Sequence, residues 1–318
     1  MNILITGVAG FIGFHLSQNL LLKNNNIIGV DNFTKSYDVL LKKNRIKILS
    51  NKKKFVFYNK NIKDIDKIKI KNKIDAIIHL AAEAGVRQSL DNPYHYIDQN
   101  IRNTISVFEF AKRRKIKKIF YASSSSVYGD KAIYPSKEKI EINQPISIYG
   151  LTKISNENIA HYYFKIFNIN SVGFRFFTVY GPYGRPDMAI LIFIKAILQK
   201  KFLNLNNYGK NYRDFTYVSD VVRYFVDCMY LLKKKRTFFK IFNIGGESNI
   251  KLTSLVKKIE KKLKLKAKIR YKPKISLDPL SSLADTTSIR KFTNKNYKTS
   301  LDKGLEITIK WLRDYLKL

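Results

Sequence analysis

Short apolar runs alternate with longer stretches of helical periodicity through the first half of the chain. NILIT, residues 2–6, is β-branched and runs into the glycine turn GVAGFIG, after which FHLSQNLLLK repeats apolar residues at helical spacing. Four more apolar runs follow: NIIGVDNF, IDAIIHLAAEAG, IKKIFYASSS and NSVGFRFFTVYG, each ending in small or polar residues. Between them, NIRNTISVFEFAKRRK and SNENIAHYYFKIF have the 3.6-residue period of helices. Strands alternating with helices predict an α/β protein with a doubly wound parallel sheet, whose ligands sit at the carboxyl ends of the strands. After about residue 178 the rhythm changes to the loop-like GPYGRPDM, the helical AILIFIKAILQK and a mixture of short elements. The expected division is therefore 1–178 and a smaller C-terminal unit, 179–318, with some later segments returning to the sheet.

Charge alters this picture less than its size suggests. Sixty Lys and Arg against 24 Asp and Glu give a formal +36 over 318 residues, which raises nucleic acid or an anionic membrane as partners. The lysines, however, travel with Asn and Ile in every segment, as in LLKNNNIIG and KDIDKIKIKNKID, and no aromatic-interleaved basic stripe interrupts the pattern. The expected partners thus include no nucleic acid and no membrane insertion. A single cysteine, Cys228, permits no internal disulfide and suits a reducing compartment. The N-terminal run has no basic flank and is broken by glycines, so a cytoplasmic chain is expected.

Gly7, Gly10 and Gly13 form G-x-x-G-x-x-G between a strand and a helix. Glycine serves there because a pyrophosphate must approach the backbone closely, where helix amides stabilise its charge. Asp31 ends the next predicted strand, placed to accept hydrogen bonds from the ribose hydroxyls of NAD and to repel the 2′-phosphate of NADP. The nearby Lys35 softens that repulsion. In YGLTK, Tyr149 and Lys153 share one helical face, and an ammonium beside a phenol favours the phenolate needed by a general base. The four serines of YASSSSVYGD follow a predicted strand, where a hydroxyl can relay a proton between a substrate and that tyrosine.

Together these glycines, Asp31, HLAAEAGV, SSSSVYG, Tyr149-x-x-x-Lys153, RFFTVYGP and RDFTYVSD resemble the extended short-chain dehydrogenase/reductase family, specifically its nucleotide-sugar epimerases. AGVRQSLDNP and FFTVYGPYGRPDMA are most similar to the UDP-glucuronate 4-epimerases. The resemblance implies a Rossmann-like sheet with a smaller substrate-binding domain, NAD as cofactor, a UDP-sugar substrate and a homodimer formed through helices near residues 95–113 and 149–167. Ser124, Tyr149 and Lys153 are implied to be catalytic, Lys153 by bonding the nicotinamide ribose and depressing the tyrosine pKa. The cofactor contacts are implied at Gly7, Gly10, Phe11, Ile12 and Gly13, at Asp31, Asn32 and Lys35, and at Leu80, Ala81 and Ala82, together with Tyr149 and Lys153.

The same resemblance narrows the reaction. Related dehydratases carry an Asp-Glu pair, and related decarboxylases a glutamate, where this chain has Ser125 and Ser126, which argues against both chemistries. What remains is 4-epimerisation through a 4-keto intermediate, in surface polysaccharide precursor synthesis. A uronate at this stage is a β-keto acid that decarboxylates when its carboxylate aligns with the carbonyl, so the site must hold that carboxylate aside. Thr178, Ser125 and Ser126 offer hydroxyls for this, and Arg185 and Arg87 offer charge. Arg213 resembles the arginine that reaches the diphosphate, and Asp278 in the altered segment LDPLSSLAD resembles a further nucleotide contact. Glu83 stands where similar epimerases carry glutamine. UDP-glucose or UDP-N-acetylglucosamine is the alternative substrate, and a non-catalytic NAD sensor or nucleic-acid-binding protein on this fold is the alternative of another class. His79 is expected to pack beside the cofactor and Trp311 to pack the C-terminal helix; the sparse His and Cys offer no metal spacing.

Overall fold

A computed structural model describes the chain except residues 130–132, 141–143, 276–278 and 318. Twelve strands are present among the described residues: β1 (Asn2–Thr6), β2 (Asn26–Asp31), β3 (Phe55–Asn59), β4 (Ala76–His79), β5 (Lys118–Ser124), β6 (Asn170–Phe176), β7 (Thr178–Tyr180), β8 (Phe202–Leu205), β9 (Tyr212–Tyr217), β10 (Phe239–Ile244), β11 (Asn249–Lys251) and β12 (Lys268–Tyr271). Seven of them form one sheet in the order β10-β6-β5-β4-β1-β2-β3, every pair parallel. Because the chain runs β1-β2-β3 in one direction and then returns to β4 on the other side of β1, the order reverses between β1 and β4. A crevice opens at the carboxyl ends of those two strands.

The apolar runs predicted as strands occupy the interior of this sheet. β4 and β6 are buried along their whole length, as expected for strands covered on both faces. One face packs under helix α1 (Phe11–Leu22) and helix Val218–Leu231, with Phe14, Phe120, Phe174 and Phe225 in the shared core. The other face packs under helices Asn103–Arg113 and Ile148–Phe167, with Phe108, Ile119, Tyr121 and Ala160 between. β3 carries no expectation from the sequence. It is an edge strand with one neighbour and four exposed or half-buried positions after Phe55, and lysines flank its short run FVFY.

The later segments divide. β10 joins the large sheet beside β6, whereas β7, β9 and β11 make a three-stranded sheet and β8 and β12 a two-stranded one. These small sheets share a separate core with the helices Ala189–Leu198, Leu252–Leu263 and Leu301–Leu316. Trp311 lies in the last of these helices, its ring 5.1 Å from that of Tyr183.

A buried ion pair locks helix Ile148–Phe167 to the sheet. Arg175 on β6 donates from Nε and Nη2 to Glu157 at 2.9 and 2.7 Å, and Ser123 donates to the same carboxylate at 2.6 Å. Both charged side chains are almost fully buried, so each depends on the other. Arg175→Met leaves the Glu157 carboxylate without its cation and is expected to cost roughly 3–5 kcal/mol in urea unfolding. A loss below about 1 kcal/mol, the range of an exposed pair, would contradict this.

Candidate active site

The crevice at the switch point opens into a cleft of about 890 Å³ that extends from the large sheet to the smaller one. At its floor the chain turns from β1 into α1. Gly7 has φ +73°, and a Cβ on it would come 2.6 Å from the amide nitrogen of Ala81, just beyond β4. A Cβ on Gly13 would come 2.3 Å from the Gly7 carbonyl oxygen. Any side chain at either position collides with backbone, so glycine alone allows β1, β4 and α1 to meet. Gly10 caps α1 without a side-chain partner, leaving the first-turn amides of Phe11 and Ile12 facing the cleft.

Asp31 closes β2 at one end of this floor. Its carboxylate accepts from the amides of Ala9 at 3.1 Å and Phe33 at 2.9 Å, which fixes its direction. Burial raises its pKa, while those amides and the cations of Lys42 and Arg45 oppose the rise. Lys42 was not singled out in the sequence, yet it is buried and donates to Thr34 O at 2.6 Å. Lys35 is exposed and does not line the cleft, whereas Asn32 does. Lys42 and Arg45, rather than Lys35, are thus the cations near Asp31, hidden in the sequence by the basic run KSYDVLLKKNR.

Across the crevice, β5 delivers Ser124 and helix Ile148–Phe167 delivers Tyr149 and Lys153. Ser147 caps that helix by accepting from the Gly150 amide at 3.0 Å, which places Tyr149 in its first turn. Ser124 in turn accepts from the Ser126 amide at 3.2 Å and lies 3.2 Å from the Ser126 hydroxyl, so Ser125 and Ser126 curl into the cleft. The serine run is a strand end and a cap.

The electrostatics of Tyr149 differ from the expectation. Burial raises its pKa, opposed first by a hydrogen bond with Ser124 and then by the charge of Arg185. Lys153 does not supply the depression: its Nζ is 5.7 Å from the Tyr149 ring centre and donates to Ala122 O at 3.2 Å. Burial instead pulls the Lys153 ammonium down to about 8.

The remaining wall comes from three loops. Arg185 enters the cleft with its guanidinium paired to Asp187 at 2.6 and 3.1 Å and donates to Ala84 O at 3.1 Å. Its charge is therefore balanced before any substrate arrives, which the sequence did not show. Thr178, at the start of β7, and Arg213, on β9, line the same cleft. Arg87 also lines it, and with the Asn206 amide oxygen turned toward it donates at 3.0 and 3.2 Å. Leu80, Ala81 and Ala82 border the glycine turn. Asp278 lies outside the described residues. Glu83 is buried at the cleft wall, accepting from Ser36 at 3.2 Å and lying 3.6 Å from His95 Nε2. His79 bridges Thr6 and Thr104 through its two ring nitrogens at 2.7 and 3.1 Å, and burial lowers its pKa to about 3, so it is a neutral packing residue.

A glycine floor at the switch point of a parallel sheet, faced by a tyrosine and lysine on one helix, defines a protein of the dinucleotide-binding fold. The sequence model of the NAD dependent epimerase/dehydratase family matches residues 3–245, and the chain belongs to that family. It is 36% identical to a UDP-glucuronate 4-epimerase of Thermodesulfobacterium geofontis, over 99% of this chain and 97% of that one. Among solved structures it is similar to the UDP-glucuronic acid 4-epimerase of Bacillus cereus in complex with UDP-glucuronic acid and NAD, with a TM-score of 0.93 and 35% identity over 99% of this chain and 100% of that one. The UDP-glucose 4-epimerase of Thermotoga maritima with UDP-glucose has a TM-score of 0.89 and 29% identity over 99% and 100%.

The hydrogen bond from Ser124 lowers the Tyr149 pKa, so removing it moves ionisation of the base upward. Ser124→Ala is expected to reduce turnover about a hundredfold and to shift the acid limb of the kcat profile to higher pH. A limb that stays in place would show that Ser124 does not act on the tyrosine.

Proposed function

We propose that this protein interconverts UDP-glucuronate and UDP-galacturonate by NAD-dependent epimerisation at C4. The observation that carries the reading is the meeting of Tyr149, Ser124 and Arg185 in one cleft with the glycine floor and Asp31. The floor residues Gly7–Gly13 would hold the pyrophosphate of NAD and Asp31 its ribose, because the cradle leaves no room for side chains and the carboxylate is already aimed by two amides. Bound NAD supplies the hydride acceptor for C4 and the donor for its return.

The chain's own residues handle the protons and the carboxylate. Tyr149 takes the O4 proton, with Ser124 bridging the sugar hydroxyl and the phenol, and returns it once the 4-keto sugar has turned its other face. Lys153, with its ammonium softened by burial, bonds the nicotinamide ribose. Ser125, Ser126 and Thr178 hold the uronate carboxylate away from the alignment that releases carbon dioxide, and Arg185 balances its charge. The Arg185–Asp187 pairing favours this reading, since a cation already neutralised in part orients a carboxylate without binding it immovably. Arg213 reaches the UDP portion, and Arg87 adds charge to the wall that faces the carboxylate.

The division of labour follows the two cores. Residues 1–178, with the returning β10, carry the dinucleotide, and most of 179–318 carries the nucleotide sugar. We assign the product to surface polysaccharide precursor synthesis in the cytoplasm, consistent with a lone buried cysteine and with no described helix long and apolar enough to cross a membrane. The active form is a homodimer. Ile105, Leu151, Tyr162 and Ile166 leave apolar side chains exposed on helices Asn103–Arg113 and Ile148–Phe167, which pack side by side, and a second copy covers them. Sedimentation as a single chain would contradict the dimer.

Incubation with UDP-glucuronate without added reductant, followed through the sugar proton couplings by NMR, should show UDP-galacturonate accumulating, and Tyr149→Phe should abolish it. Conversion of UDP-glucose or UDP-N-acetylglucosamine alone would keep the chemistry and overturn the substrate. No conversion of any of the three would overturn the enzyme reading.

A further inference from the structure

Three consecutive carbonyls of the loop leading to Arg185 are held from behind the cleft. His15 on α1 lies with Nε2 2.9 Å from Pro182 O. Arg45, on the helix α2 (Val39–Ser50), donates from Nη2 to Tyr183 O at 2.6 Å and to Gly184 O at 3.3 Å. Its other arm, Nη1, donates to Ala9 O in the glycine turn and to the Tyr37 hydroxyl, both at 2.7 Å. A guanidinium can serve both sides at once because its donors form a rigid planar fork. A lysine, with one nitrogen, cannot.

The surroundings show that this arrangement is built. Arg45 is fully buried, and the acceptors at its two arms are neutral oxygens. Burying a charge is costly unless such partners are supplied. Burial lowers the His15 pKa to about 4, so the ring is neutral near pH 7; because Pro182 O only accepts, Nε2 carries the ring proton. The Tyr183 ring is wedged between Phe14 and Trp311, at 4.9 and 5.1 Å. The Tyr37 ring faces both cations, 5.5 Å from Arg45 Cζ and 5.6 Å from Arg185 Cζ. Neither His15 nor Arg45 lines the cleft, so neither meets the sugar.

We propose that Arg45 and His15 are positioning residues that fix the Pro182–Gly184 backbone and thereby set Arg185 against the substrate carboxylate, an inference that rests on the uronate reading for its consequence. The Gly184 carbonyl belongs to the peptide unit that enters Arg185, so holding it sets the direction in which the Arg185 side chain departs. The same guanidinium holds Ala9, whose amide bonds Asp31. The dinucleotide floor and the carboxylate-facing arginine are thus aligned by one buried side chain.

The test uses the NAD-loaded enzyme and two readouts. Hydrogen exchange of the peptide spanning 181–188 should speed up in Arg45→Lys and in His15→Phe, while His15→Gln, which restores a donor, should stay close to the unsubstituted protein. In calorimetry, Arg45→Lys and His15→Phe should weaken UDP-glucuronate binding about tenfold, the loss of one charge-assisted contact, and UDP-glucose binding less than about twofold. Equal loss for both nucleotides would mean a general structural role and would overturn the proposal, as would unchanged exchange in the loop. If Arg45→Lys emerges without its dinucleotide, the His15 pair decides, since the His15 bond ends on Pro182. Absence of any uronate preference in the unsubstituted protein would overturn the substrate assignment, and the exchange measurement would still decide the role of Arg45.

Discussion

The close approach of three backbones at Gly7 and Gly13 is the constraint on which the rest depends. With a Cβ at Gly7 the end of β1 and the turn after β4 would collide, and with one at Gly13 helix α1 would be pushed off the glycine turn. Either shift would displace the amides that helix α1 presents to the crevice and would carry Ala9 away from both Asp31 and Arg45. Two missing methyl groups thus define the floor, and β5 and helix Ile148–Phe167 have only to deliver Ser124 and Tyr149 to its edge.

The tyrosine sits in an environment that works against its ionisation. Burial favours the neutral phenol, and the opposing influences are local: one hydroxyl from the strand end and one cation from a distant loop. That distribution couples the phenol to the Arg185 wall of the cleft, because the same guanidinium that lines the cleft opposes the effect of burial on Tyr149. Lys153 is likewise destabilised as an ammonium by burial, so its proton is held less firmly than that of a surface lysine.

Much of this was readable in the sequence because strand ends carry chemistry in a parallel sheet. The glycine turn, Asp31, the serine run and the Tyr149–Lys153 pair are all short-range signals, each recognisable within a single turn or strand end. The residues that were not legible act over long separations or are masked by composition. Arg45 reaches loop residues 138 and 139 positions away, Lys42 disappears among neighbouring lysines, and the partner of Arg175 is visible only once β6 and helix Ile148–Phe167 are packed. The Asp187 partner of Arg185 is two residues away, but nothing in the sequence distinguishes a paired arginine from one waiting for a substrate. The edge strand β3 went unread because its short run FVFY, set among lysines, ends in no residue that carries chemistry.

In the proposed reaction one cleft removes and returns the same hydrogen at C4. UDP-glucuronate labelled with deuterium at C4, incubated with the protein in ordinary water, tests it directly by mass spectrometry and NMR of the product. Transfer of hydride from C4 and its return to the other face predict UDP-galacturonate that keeps the deuterium at C4. Product that has exchanged this deuterium for solvent hydrogen would show that the hydrogen leaves as a proton, and would contradict the account.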